Sequence, residues 1–281
     1  MIILNSFSNL LKYMVIRKSK ASDKKMVLEF CKTTFSWGDY IADVWDSWSL
    51  EGNLLVLTEN KAPVAICHSS FIDKQVWIEG IRVNEKFRKK GFAKNLVLES
   101  ESLAKNKNYS TSKMLIATNN KKSLNLANSL NYKNESIWNF YSLIPKKVNK
   151  KTDVTIAINN KKITDFLLSH LSSYVKSWRW IPLTEININS LIEEKRILYT
   201  KHDDVIDAMI IFTESEHFEK TLMLTLISGS KKGIKEIITY FQNYAIKNNI
   251  KRIQILTNAK ILPKIENLDK KFSFCLMKKI L

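Results

Sequence analysis

Cysteine is scarce in this 281-residue chain. The three that occur, Cys31, Cys67 and Cys275, stand far apart, with no CxxC pair and no histidine spacing suited to zinc. That argues against a disulfide framework and against a structural metal. Long apolar runs are missing as well. The leading MIILNSFSNLL is soon followed by Lys12 and Arg17, has no small-residue cleavage site and is too short to span a bilayer. A cytoplasmic protein without a membrane span is therefore expected. Acidic side chains are outnumbered, 27 against 45 Lys and Arg, for a formal net charge of +18. The lysines are scattered, with short clusters at Lys89-Lys90, Lys121-Lys122, Lys146-Lys147 and Lys231-Lys232. Such a field attracts phosphates of any kind. No helix-turn-helix, zinc or RNA-binding signature accompanies it, so a nucleic-acid partner is not expected and a solvated surface is the plain reading of most clusters.

What is present is a globular composition, 45% hydrophobic, long enough for two ordinary domains or one large one. A first strand is expected at Val15–Arg17, which leaves residues 1–13 as an N-terminal extension or a lead-in from an upstream start. ASDKKMVLEFCKTTF has helical spacing with Ser22 as N-cap, and WGDYIADVWDSWS a second, aromatic helical piece. NLLVLTE, PVAICHSSF and QVWIEGIRV then read as three strands joined by hairpin-length linkers. A helix follows from Gly91 and a strand at Lys113–Thr118. The class is mixed α/β. Residues 146–153 carry lysines and no periodicity, and serve as a linker between a domain at 14–145 and a second at 154–281. In the second, a helix through FLLSHLSSYVKSW precedes strands RILYT, VIDAMIIF and TLMLTLI, the loop SGSKKG, a helix and the strand RIQILTN. That order repeats the one from Gln75 to Thr118, which points to a duplicated fold with a diverged copy.

Between the strand ending at Val83 and the helix starting near Gly91 lies NEKFRKKGFAKN. Gly91 can take a positive φ. The first turn of the next helix aims unpaired N–H groups at one point and adds the positive end of the helix dipole. Arg88, Lys89 and Lys90 surround it with charge, and Ala93 keeps the inner face small. These are the parts of a pyrophosphate cradle, although a basic loop with one glycine is also a common solvated turn.

The stretch WIEGIRVNEKFRKKGFAKNLV resembles the central motif of the GNAT acetyltransferase superfamily: Arg or Gln, two residues, Gly, one residue, then Gly or Ala. Arg88, Gly91 and Ala93 occupy those positions, and the helices and strands of residues 14–145 follow the family's order. The resemblance implies a splayed GNAT sheet with acetyl-CoA between the strands of Gln75–Val83 and Lys113–Thr118. It places the pantetheine arm on the backbone of Ile81, Arg82 and Val83, the pyrophosphate on Arg88, Lys89, Lys90, Gly91, Phe92 and Ala93, and Asn120 at its usual family position beside the cofactor. Transfer would be direct, within a ternary complex.

An amine attacks a thioester only when neutral, so a base is needed. Glu79 is the candidate. Strand alternation puts Trp77, Glu79, Ile81 and Val83 on one face, with the carboxylate among apolar neighbours; a carboxylate satisfied by a basic neighbour is the plain alternative. His68, one strand back, is a second candidate for base or acceptor contact. Asp39, Tyr40, Trp45 and Trp48 fall where the family builds its acceptor wall, a mix suited to a cationic amine, while tryptophans at helical spacing also fit a core. The family's tyrosine acid has no counterpart: Leu126 is followed by Ala127, and Asn131-Tyr132 stands in place of Gly-Phe; Tyr141 is a hydroxyl on another strand. In the second half, Ser230 stands where Arg88 does. A degenerate copy is expected there, and the tandem arrangement is similar to histidine N-acetyltransferase-like members of the superfamily. An N-acetyltransferase acting on a small amine or amino acid, or failing that on a protein amine, is the expected function; a non-catalytic acetyl-CoA sensor or scaffold is the alternative. Oligomeric state is left open.

Overall fold

The computed structural model describes residues 14–34, 38–216, 218–259 and 262–281. The extension at 1–13 lies outside them. The chain divides into two compact units, each described by itself. The first runs from the first strand to Ile116 and adds Asn120–Asn134 and Met277–Leu281; the second holds Ala117–Asn119 and Glu135–Leu276.

In chain order the elements are β1 (Met14–Lys18), α1 (Lys24–Cys31), α2 (Ile41–Glu51), β2 (Leu54–Glu59), β3 (Ala62–Ile72), β4 (Gln75–Val83), α3 (Phe92–Asn106), β5 (Thr111–Ala117), α4 (Lys121–Ser129) and β6 (Lys133–Leu143). There follow β7 (Thr155–Ile156), α5 (Lys161–His170), β8 (Ser173–Lys176), β9 (Arg179–Pro182), α6 (Glu185–Glu193), β10 (Ile197–His202), β11 (Val205–Glu214), β12 (Thr221–Ser228), α7 (Lys231–Lys247), β13 (Arg252–Thr257) and β14 (Leu268–Ile280). The mixed α/β class is as the sequence implied.

In the first unit β1 to β4 form an antiparallel meander and β5 joins β4 in parallel. Helices α1 and α2 cover one face: Val27, Cys31, Ile41, Val44, Trp45 and Trp48 pack with Leu54, Val56 and Ile66. Helix α3 lies on β3 and β4 and buries Leu96, Val97, Ser100 and Ala104, with Ser69 Oγ donating to Ser100 Oγ at 2.8 Å. Ser22 is not the cap of α1. It lies in a short 3-10 turn, and the Asp23 carboxylate instead accepts from the backbone of Lys20 and pairs with Arg17 at 2.7 Å.

In the second unit α7 buries Ile234, Ile237, Ile238, Phe241 and Ala245 at helical spacing against β10, β11 and β12. The helix expected through FLLSHLSSYVKSW stops at His170. Ser173–Lys176 forms a hairpin with Arg179–Pro182, turned by Ser177 and Trp178 at φ 48 and 63, so the alternation of that stretch prevails over its helical spacing. Residues 144–154 form neither helix nor strand. They are held by α7, whose Asn243 side chain both accepts from and donates to the Val148 backbone.

Two features shape β4. It pairs with β5 only from Gln75↔Thr111 to Trp77↔Lys113, after which the pairing stops. Against β3, His68 pairs Glu79 but Ile66 pairs Arg82, so β4 carries one extra residue at Gly80-Ile81. This is a β-bulge with Gly80 in the left-handed region, φ 63. A Cβ there would stand 2.3 Å from the Trp48 ring. Gly80→Ala is therefore expected to cost about 1–3 kcal/mol, measured by chemical denaturation; an unchanged midpoint would mean that Trp48 yields freely.

Candidate functional site

The bulge changes which side chains share the Glu79 face. Alternation predicted Trp77, Glu79, Ile81 and Val83 together. The extra residue reverses the alternation after Gly80, and Arg82, aligned with Ile66 of the α1/α2 core, takes the place expected of Ile81. The Arg82 guanidinium grips Asp39, Nε to Oδ2 at 2.6 Å and Nη2 to Oδ1 at 3.0 Å, and lies over the Tyr40 ring. Burial, the largest single influence, would make this guanidinium easier to deprotonate; the bond to Asp39 together with the nearby charges of Tyr40, Asp39 and Cys31 outweighs it and holds the pKa above the ordinary value. Burial also raises the Tyr40 phenol, with Arg82 opposing.

Glu79 sits just before the bulge with its side chain 14% exposed. His68 Nδ1 lies 2.9 Å from one carboxylate oxygen, and Trp77 Nε1 donates to the other at 3.2 Å. His68 is fully buried and stacked on Trp48, centroids 4.4 Å apart and planes 6° from parallel. On its other side Nε2 lies 3.2 Å from Glu51 Oε2 at the end of α2. Beneath, Cys67 faces α3, and burial pushes its thiol up to about 12; Cys31 is likewise raised to about 12 by burial. Both thiols stay protonated near neutrality and neither is fit to act as a nucleophile. Trp45 is wholly within the α1/α2 core, 2% exposed.

The loop after β4 ends in Lys89 at φ 63 and Gly91 at φ 80, and α3 begins at Phe92 with no side chain capping it. Its first N–H groups have no intrahelical acceptor. Among the described residues, no atom beyond its two chain neighbours lies within 4 Å of where a Gly91 Cβ would stand, so that end of the helix opens onto free space. Arg88 reaches back to the Val83 carbonyl and Glu85, while Lys90 pairs with Glu59 at 3.2 Å and lies over the Phe87 and Phe92 rings. Asn120 caps α4, its side-chain oxygen accepting from Ser123 N at 3.1 Å. Tyr132 is buried with its hydroxyl on Ser112, and burial raises its pKa. Tyr141 belongs to the second unit, packed against that unit's core.

The corresponding loop of the second unit is built differently. Ser230 caps α7 by accepting from Gly233 N at 3.0 Å, and the Asp207 carboxylate accepts from both Ser230 N and Ser230 Oγ, the latter at 2.7 Å. A Cβ on Gly233 would meet Asp207 Oδ2 at 2.3 Å, so this carboxylate lies directly against the helix start. Strands β12 and β13 stay paired over six positions, Thr221↔Arg252 to Leu226↔Thr257, where β4 and β5 part after three. The protein's own anion occupies this helix end.

Among the described residues, an open helix N-terminus beyond a bulged strand that parts from its parallel neighbour occurs once, in the first unit. Residues 25–132 match the acetyltransferase (GNAT) family. The GNAT fold extends over both units. A GCN5-related N-acetyltransferase from Sphaerobacter thermophilus superposes with a TM-score of 0.63 at 11% identity, covering 95% of each chain. A tandem GNAT protein from the clavulanic acid biosynthesis pathway gives 0.56 at 9% identity, covering 95% of this chain and 98% of that one. No curated protein matches at a significant level. Among the described residues no three or more His, Cys, Asp or Glu are arranged to hold a metal, and no helix is long and apolar enough to cross a membrane.

Glu51 escaped the sequence reading because nothing in a helix-end glutamate marks it as the neighbour of a histidine 17 residues on. The bulge did have a signal: Gly80 stands in mid-strand, where glycine commonly marks one.

Proposed function

We propose that the first unit transfers an acetyl group from acetyl-CoA directly to an amine, with Glu79 taking the amine's proton. The observation that carries this reading is the early parting of β4 from β5, two residues before Glu79, next to a helix start with free space before it. The residues suit the cosubstrate. The N–H groups at Phe92, Ala93 and Lys94, with Arg88, Lys89 and Lys90 around them, would hold a pyrophosphate. The backbone of Ile81, Arg82 and Val83 would carry the pantetheine arm, with Asn120 at the start of α4 as a further contact.

Glu79 is held by His68 and Trp77 and keeps a small exposed surface, which suits proton abstraction from a bound ammonium. The raised thiols of Cys31 and Cys67 favour direct transfer over an acyl-cysteine. The Asp39–Arg82 pair neutralises itself, so Glu79 and Glu51 with Tyr40 leave an acidic, aromatic surface suited to a cationic small amine or amino acid. The second unit we read as a diverged copy without a centre, because Asp207 supplies the negative charge that a pyrophosphate would bring.

Thiol release from acetyl-CoA in the presence of pooled amino acids, polyamines and peptides tests the reading. Release with a small amine is expected. The absence of a free tyrosine hydroxyl at Tyr132 favours the other reading, a cofactor-binding sensor, which would bind acetyl-CoA yet release no thiol with any acceptor. Gly91→Asp, which brings a carboxylate to the helix start in imitation of Asp207, is expected to weaken acetyl-CoA binding by at least about 100-fold by calorimetry. Unchanged affinity would remove the loop from the site.

A further inference from the structure

Three side chains from three elements form a line across the Glu79 face: Glu51 at the end of α2, His68 on β3 and Glu79 on β4. The separations are 3.2 Å from Glu51 Oε2 to His68 Nε2 and 2.9 Å from His68 Nδ1 to Glu79 Oε1. The first contact is within ion-pair distance but off the line of a good hydrogen bond. Glu51, 32% exposed, faces the ring nitrogen that has no hydrogen-bond partner among the described residues. His68 cannot turn. It is sealed from solvent, stacked on Trp48, and Trp48 is itself locked over Gly80 of the bulge. A buried imidazole with a carboxylate at each nitrogen has one ring orientation and two fixed partners, the logic by which a base is oriented through a third group.

We propose that Glu51 is a positioning residue for acetyl transfer, acting through His68 to hold the Glu79 carboxylate in its reactive orientation. This rests on the reading of Glu79 as the base. His68, with no surface of its own, touches no acceptor and is a positioning residue too. Trp77 fixes the second oxygen of Glu79, so both oxygens are tied and the carboxylate plane is set. Arg82 and Asp39 bind one another, and Tyr40 stays protonated through burial, while the Cys67 thiol lies on the opposite, α3 face.

The test is a double-mutant cycle on the full chain, with Glu51→Gln, His68→Gln and the pair, read as kcat, KM for acetyl-CoA and melting temperature. Glutamine at 68 keeps an amide donor for Glu79 while removing the imidazole that Glu51 addresses. Glu51→Gln is expected to lower kcat about tenfold with KM for acetyl-CoA unchanged. On the His68→Gln background the same change is expected to cost less than about twofold, because the link is already broken. Equal effects on both backgrounds, or a loss that follows melting temperature, overturn the positioning role while leaving the acetyltransferase reading intact. A wild-type protein that releases no thiol overturns that reading and the positioning role with it. Should Glu51→Gln fail to fold, Glu51→Asp, with its shorter reach, is expected to show the same lower kcat at unchanged KM, and full activity there contradicts the proposal.

Discussion

Glu79→Gln is expected to reduce turnover by about 10²–10⁴-fold while acetyl-CoA affinity stays within about twofold of wild type. Glutamine matches the volume of glutamate and still accepts from Trp77, so the packing around the bulge persists. What disappears is the partly exposed carboxylate proposed to take the amine proton. The groups proposed to bind the cosubstrate, at Ile81 to Val83 and Arg88 to Ala93, are untouched, which is why binding and turnover separate. Calorimetry with acetyl-CoA beside a thiol-release assay reads both. A fall of less than about fivefold would mean that the amine loses its proton elsewhere, for instance to bulk water before it binds.

The second large effect lies at the far end of the chain. Removing Met277–Leu281 is expected to destabilise the first unit by about 3–5 kcal/mol, a fall in melting temperature of about 10 °C or more, although the nearest residue of that unit in sequence is over a hundred positions away. These residues belong to the first unit. Lys279 Nζ pairs with Glu101 Oε2 at 2.5 Å, with the two side chains only 18% and 5% exposed, and lies over the Tyr132 ring. The Leu281 N–H donates to Ser110 O at 2.9 Å, and Met277 is 2% exposed. Deleting them leaves the Glu101 carboxylate buried without its cation, the costly way to break such a pair. The double replacement Glu101→Gln with Lys279→Met should be far milder, since both charges go together. Hydrogen exchange is expected to quicken over α3 and β5 and not over α7; equal quickening throughout would assign the loss to the whole chain.

The meander, α3 and the loop before it were legible because they rest on local signals: period-two runs, a glycine after a basic turn, a helix spacing. Gln75–Val83 was read to the residue. What local signals could not supply was the effect of one inserted residue. The Gly80 bulge moved Arg82 onto the Glu79 face and tied it to Asp39, a partner 43 positions earlier. His68 was visible as a buried histidine, but its two carboxylates come from α2 and β4, and only the register of β3 brings them together. The hairpin at Ser173–Pro182 was masked by apolar spacing that fits either period. The missing arginine is the local reason to expect a diverged second loop; the carboxylate of Asp207 against α7 comes from β11, over twenty residues before, and no local motif announces it.

We propose one acetyl-CoA site per chain, in the first unit, with the loop at Ser230 closed by the Asp207 carboxylate. Calorimetric titration of acetyl-CoA onto the full chain, with wild type and Gly91→Asp in parallel, tests it most directly. The account predicts a stoichiometry of one for wild type and no measurable heat for Gly91→Asp. A stoichiometry of two, or a single site that survives Gly91→Asp, would contradict it.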